Sequence, residues 1–312
     1  PQTTQARRAY RELLVTAPGL AEAISGVILH DETIRQTMAD GTPFAKAIAA
    51  LGIVSGIKVD KGATDMAGQP GEKVTEGLDG LRDRLRESAD MRARFAKWRA
   101  VITIGEGQPG RACVEANAHA LARYAALCQE VGLVPVVEPE VLMQGDHSLD
   151  RSRRTTEDVL HRVFDQLHAQ GVVFEAMILK PNMVLPGLTA PRQDPVDAVA
   201  DATVQCLLRS VPAAVAGIAF LSGGQPGVLA SARLNEMHVR FKGRLPWPLT
   251  FSFARAIQQT ALEVWRGSET HVEAAQQALV HRARCNRAAR RGEDGSMTEA
   301  DLHRSASALV VM

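Results

Sequence analysis

Short apolar runs alternate along this chain with longer stretches in which apolar positions recur every three or four residues. The short runs predict strands at 23–29 (AISGVIL), 53–59, 99–104 (RAVITI), 133–137 (LVPVV), 174–179, 213–221 and 249–252. The longer stretches predict helices at 4–16, where Tyr10, Leu13 and Leu14 share a face, and at 44–51. Further helices are predicted at 75–91, with Leu78, Leu81 and Leu85 at helical spacing, and at 111–131, 155–170, 194–210, 227–239, 254–265 and 271–290.

Strands alternating with amphipathic helices imply a parallel sheet with helices outside it. Polar residues stand repeatedly just after the strands, as a TIM (β/α)8 barrel requires. A doubly wound open sheet would want a glycine-rich phosphate fingerprint after its first strand, and none stands there. The α/β barrel is therefore the expected fold, as a single domain over 1–312, since composition does not break anywhere. About seven strands are found where the barrel needs eight. The first element is a helix, so a missing first strand would precede it. Position 1 is Pro, which reads as a processed chain or a fragment.

Composition narrows the function classes. Of 312 residues, 46% are hydrophobic and 23% charged, ample for a core. Thirty-six basic against 35 acidic residues leave a net charge of +1, so no global field points to nucleic acid or to a membrane surface. Anionic substrates would have to be held by local charge. Cys113, Cys128, Cys206 and Cys285 show neither zinc-ligand nor disulfide-framework spacing. A reducing cytosol is the simplest setting. No apolar stretch reads as a bilayer span and no signal peptide is evident.

One lysine draws the chemistry together. The apolar run before Lys180 ends at Pro181, which has no N–H for a ladder, so Lys180 stands at the carboxyl end of a buried strand. Lost hydration favours a neutral amine there, able to attack a carbonyl and form a Schiff base. A lysine that merely snorkels out of the strand is the plainer reading of this position alone. Other strand ends add weight. Lys58 ends one, Lys97-Trp98-Arg99 opens another, and Glu138 and Glu140 close the next. The two glutamates, separated by Pro139, point to one side of an extended backbone. One could act as general acid and base and the other hold lysines in register, or both could belong to a plain ion-pair cluster. Ser222-Gly223-Gly224 ends the penultimate strand, and Arg255 follows the last. That pairing suits a phosphate, where a tight turn is the alternative. Phosphate, lysine and acids together suggest carbon–carbon lyase chemistry on a sugar phosphate. The basic run 282–291 reads as a solvated helix face, and His147 as a turn residue.

The ordered motifs GIKVDKG (56–62), GLDGL (77–81), FAKWR (95–99), ARYA (122–125), VPVVEPE (134–140), GDH (145–147), LKPNMV (179–184), FLSGGQ (220–225) and LTFSFARA (249–256) closely resemble class I fructose-1,6-bisphosphate aldolase. The resemblance runs from about residue 6 to about residue 290. It implies a TIM barrel, a sugar-phosphate substrate, no metal or other cofactor, a cytoplasmic enzyme of glycolysis and a homotetramer. By matched position, Lys180 resembles the Schiff-base lysine and Glu138 the acid/base that makes and dehydrates the carbinolamine. Lys97 resembles the lysine beside them, and Glu140 and Lys58 supporting charges. Arg99 resembles a contact near the second phosphate, and Ser222, Gly223, Gly224, Ser252 and Arg255 the site of the other.

Three departures stand beside the resemblance. The family begins with a helix and a strand like GILAADES, carrying an aspartate used in bond cleavage, and no such stretch occurs here. The family's terminal tyrosine has no counterpart, since the last tyrosine is Tyr124 and the chain ends Leu309-Val310-Val311-Met312. Phe253-Ala254 replaces the usual Tyr-Gly. A truncated, non-catalytic barrel serving as a binding or scaffold protein is thus the competing expectation, and an aldolase for another ketose phosphate a third.

Overall fold

The computed structural model describes residues 3–293. The tail at 309–312 lies outside them. Nine strands occur among the described residues: β1 (Gly26–Leu29), β2 (Val54–Lys58), β3 (Ala63–Asp65), β4 (Lys73–Thr75), β5 (Phe95–Ile102), β6 (Val134–Val141), β7 (Ile178–Leu179), β8 (Gly217–Phe220) and β9 (Leu249–Phe251). The helices are α1 (Thr4–Val15), α2 (Asp31–Ile34), α3 (Phe44–Ala50), α4 (Leu81–Asp90), α5 (Arg111–Glu130), α6 (Leu149–Ala169), α7 (Val196–Ser210), α8 (Gly227–Arg240), α9 (Arg255–Trp265) and α10 (Val272–Ala289). Seven strands form one parallel sheet in the order β1-β2-β5-β6-β7-β8-β9, the arrangement of a TIM-type α/β barrel with β1 and β9 at its two ends. The count of seven expected from the apolar runs is what this sheet contains. No described helix is long and apolar enough to cross a membrane.

Alternation along the strands divides outer from inner residues. On β5, Trp98 faces outward and stacks on Tyr124 of α5, with ring centroids 5.6 Å apart. Lys97 and Arg99, one residue to either side, face the barrel interior. Tyr124 also ties two strands from behind: its hydroxyl lies 2.6 Å from the Ala96 carbonyl and 3.2 Å from that of Val136. The strands that carry Lys97 and Glu138 are thus clamped by one buried phenol.

Of the boundaries that differ from those predicted, four bear on the site or its frame. β5 starts at Phe95, not at 99, so Lys97 and Arg99 lie within the strand instead of opening it. β6 runs on to Val141, so Glu138 and Glu140 are strand residues and do not follow it. Pro135 and Pro139 are tolerated because odd-numbered residues of β6 turn their backbones toward β7, as the Lys180 N–H to Val137 carbonyl bond shows. That neighbour pairs only with Val136 and Val137, so no ladder bond is lost at either proline. The run before Lys180 is mostly not a strand. Phe174–Ala176 is a 3-10 turn whose phenyl ring meets Phe164 of α6 edge-on at 5.5 Å, leaving only Ile178–Leu179 in the strand. The helix expected over 75–91 starts at Leu81, because 63–75 forms an antiparallel hairpin, β3 with β4, that the apolar pattern did not mark.

At the amino-terminal end of the barrel, Phe95 fills the interior. Its ring crosses Gly56 so closely that a Cβ added there would lie 2.1 Å from it. Gly56→Ala is expected to lower stability by about 1–3 kcal/mol through overpacking, read as a drop in the urea midpoint with an unchanged slope.

Candidate active site

Register brings the polar residues together. Lys58 of β2 pairs with Lys97 of β5, and Arg99 of β5 with Glu138 of β6. Lys180 follows β7 directly and donates its backbone N–H to Val137 at 2.8 Å, which seats its side chain beside Glu138. The Lys180 Nζ lies 2.5 Å from Glu138 Oε1, and Lys97 Nζ lies 3.0 Å from Glu138 Oε2. These groups are enclosed: Lys180 and Lys97 are 7% exposed and Glu138 is 3% exposed.

One acid therefore stands between two ammonium groups. Burial pushes the Glu138 carboxyl upward, but Lys180 and Lys97 outweigh it and hold the acid below its ordinary range. Burial pushes Lys180 downward, Glu138 opposes that and Lys97 reinforces it, and the net direction is down. The result is a charged carboxylate beside an amine brought toward neutrality, the pairing that carbinolamine chemistry uses.

Glu140 does not hold lysines in register. It pairs with Arg99, which leaves that arginine at the open edge of the lumen. The residue that binds the lysines is Asp60, just past β2, with Lys58 Nζ at 2.5 Å and Lys97 Nζ at 3.7 Å. Its second oxygen accepts the Arg99 backbone N–H at 3.2 Å. The Lys-x-Asp spacing at a strand end was the signal available for Asp60. His30 stands in extended backbone just beyond β1. Burial, then the charges of Lys58, Arg11 and Lys97, lowers its imidazole, while Asp60 opposes them.

The anion-binding candidates form a second group, tied to the first. Leu221 donates its N–H to the carbonyl of Pro181, next to Lys180, at 3.0 Å, and Ser252 donates its own to Phe220 at 2.8 Å. The turn Ser222-Gly223-Gly224 closes with a 2.9 Å bond from the Gln225 N–H to the Ser222 carbonyl, and both glycines have positive φ, +60° and +99°. A Cβ at Gly224 would lie 3.7 Å from Arg255 Nη2, so the guanidinium sits over the turn. Arg255 opens α9, adding a helix amino terminus to the same corner. His147 sits buried in its turn and accepts the Gly187 N–H on its carbonyl at 2.8 Å.

Comparison with known proteins places the whole chain in a family. The family model for glycolytic class-I fructose-bisphosphate aldolase matches residues 1–310. The chain belongs to the class-I fructose-bisphosphate aldolase family. It is 57% identical over 285 residues to a probable fructose-bisphosphate aldolase class 1 of Xanthomonas campestris pv. campestris, covering 91% of this chain and 85% of that one. It is 48% identical to a cytosolic aldolase of Arabidopsis thaliana, covering 90% and 78%. A solved aldolase from Plasmodium falciparum, in complex with TRAP and a small-molecule inhibitor, superposes with a TM-score of 0.93 at 41% identity, over 95% of this chain and 85% of that one. As a member of the family this chain is a carbon–carbon lyase acting on a sugar phosphate, and nothing in the comparisons favours a scaffold reading.

If Lys97 depresses the Lys180 amine, Lys97→Met should move the pH profile of Lys180 alkylation by an aldehyde and borohydride to higher pH. The modified peptide at neutral pH should fall about tenfold per unit of pKa regained. Lys97→Arg should leave the profile in place.

Proposed function

We propose that Lys180 is the Schiff-base nucleophile of this aldolase and Glu138 its proton shuttle. The observation that carries this reading is the 2.5 Å contact between Lys180 Nζ and Glu138, enclosed and beside a second ammonium. The Lys180 ammonium passes a proton to the Glu138 carboxylate across their contact, the neutral amine adds to the ketose carbonyl, and Glu138 returns that proton to the carbinolamine hydroxyl, which leaves as water. The iminium then takes up the electron pair of the breaking C3–C4 bond, while the Glu138 carboxylate takes the C4 hydroxyl proton and the C4 fragment leaves as an aldehyde. The enamine left behind is protonated and the imine hydrolysed, returning the amine.

Two anion sites orient the substrate in this reading. Ser222, Gly223, Gly224, Ser252 and Arg255 hold one phosphate through backbone N–H groups, a helix end and a guanidinium. Lys58 and Arg99, each already paired with an acid, hold the other, which favours a bisphosphate over a monophosphate. Lys97 and Glu140 set the field around them. A homotetramer is the assembly expected of the family, read by light scattering, and a cytoplasmic location is in keeping with the cytosolic Arabidopsis relative.

The deciding experiment is to incubate the folded chain with dihydroxyacetone phosphate and sodium borohydride and map the adduct by mass spectrometry. The adduct is expected on Lys180. A folded chain labelled elsewhere, or not at all, would overturn the assignment. In steady-state kinetics Arg255→Met is expected to raise the KM for fructose 1,6-bisphosphate by about tenfold or more, the loss of one charge-assisted contact of roughly 1.5–3 kcal/mol.

A further inference from the structure

Behind the anion cradle lie two arginines that the reaction does not use. Arg233 of α8 and Arg282 of α10 are each only 5% exposed, and Arg282 was expected on a solvated face. That expectation holds for Arg284 and Arg290, which are exposed, but the helix turns Arg282 inward against α8. Among the described residues neither buried guanidinium meets a carboxylate. The ion pairs of these two helices run instead through Arg240, to Asp201 and Glu236, and through Arg284, to Glu22. Arg233 Nε and Arg282 Nε and Nη1 also find no acceptor among the described residues. Burial alone pushes Arg233 down to about 10, with no acid acting on it.

Arg233 connects to the cradle through one neutral residue, and Arg282 to the start of α8 through another. Arg233 Nη1 donates to Gln225 Oε1 at 2.7 Å, and Gln225 is the residue that closes the Ser222-Gly223-Gly224 turn. Arg282 Nη2 donates to Ser231 Oγ at 2.6 Å, and that hydroxyl lies 2.5 Å from Asn286 Oδ1 and 3.0 Å from the Gly227 carbonyl at the start of α8. A Cβ on Gly227 would lie 2.5 Å from the Ala256 carbonyl and 3.6 Å from Arg282 Cδ, so the first turns of α8 and α9 and the arginine stem press together. A buried cation without a counter-ion is unfavourable, because lost hydration is not replaced by a neighbouring charge. Two of them behind one anion site are tolerable if the missing charge comes from the ligand.

We propose that Arg233 and Arg282 are positioning residues for phosphate: buried guanidiniums whose charge is balanced when a dianion occupies Ser222, Gly223, Gly224 and Arg255. The proposal rests on the reading of that cradle as a phosphate site. Charge transmitted through the enclosed protein falls off slowly with distance, so the pair strengthens phosphate binding without touching it.

The test compares the full chain with Arg233→Met, Arg282→Met, Arg233→Lys and Arg255→Met, with inorganic phosphate as the probe. Without phosphate, Arg233→Met is expected to melt at or above the wild-type temperature, since an unbalanced charge has left the interior. Its Kd for phosphate should rise about tenfold, its phosphate-dependent rise in Tm should shrink, and KM should increase with kcat little changed. Arg233→Lys should restore most of the affinity. Arg282→Met should behave like Arg233→Met, and if it fails to fold through loss of the Ser231–Asn286 contact, Arg233→Met alone decides. A folded Arg233→Met that melts lower and binds phosphate as tightly as wild type would overturn the proposal and leave a purely structural arginine. Unchanged phosphate affinity in Arg255→Met would instead overturn the cradle reading itself.

Discussion

The arrangement turns on a single carboxylate held between two ammonium groups in the interior. Removing three such charges from water is unfavourable by several kcal/mol for each ion. Each contact returns about 5 kcal/mol of attraction at 3 Å for an effective dielectric near 20. These opposing quantities are of similar size, so the cluster is poorly explained as a source of stability. It is better explained by what it does to the amine of Lys180, whose charge is disfavoured by burial and by Lys97 together. Everything that fixes the spacing of β5, β6 and β7 serves that balance, because a displacement of an ångström would change which of the two effects prevails.

The fixing is done from the outer face. Tyr124 bridges the carbonyls of Ala96 and Val136, and Trp98 stacks on it. Inside, Phe95 occupies the space that Gly56 leaves, closing the barrel below the charged layer. Strand-end turns then place the candidate anion cradle against the same strands, through the bond from Leu221 to Pro181. The two halves of the candidate site are therefore parts of one rigid frame.

Much of this could be read from the chain itself. The alternation of apolar runs and amphipathic stretches carried the parallel sheet and its seven strands, since both faces of such strands are buried and leave a plain apolar signature. Lys180, Glu138 and Lys97 stood out because charged residues adjoin those runs. The hairpin of β3 and β4 was hidden because its residues are largely exposed and its pairing is set by backbone bonds. The length of β6 was hidden by prolines, whose compatibility depends on how far a neighbouring strand reaches. Asp60 escaped notice because Lys97 and the Arg99 N–H, which it joins to Lys58, lie on another strand, and Arg282 because an arginine-rich helix gives no local sign of which arginine turns inward.

The two prolines of β6 have a consequence for how the barrel is assembled. Their backbones face β7, where no N–H is required, while the even-numbered positions donate toward β5, as Val134 does to Arg94. A slip of β6 by one residue would bring Pro135 and Pro139 round to face β5, breaking that ladder at two places, and would turn Glu138 and Glu140 outward into the helix layer. The misaligned barrel is thus excluded twice, once by missing donors and once by buried acids. The prolines act as a proofreading device for the strand that carries the carboxylate beside Lys180.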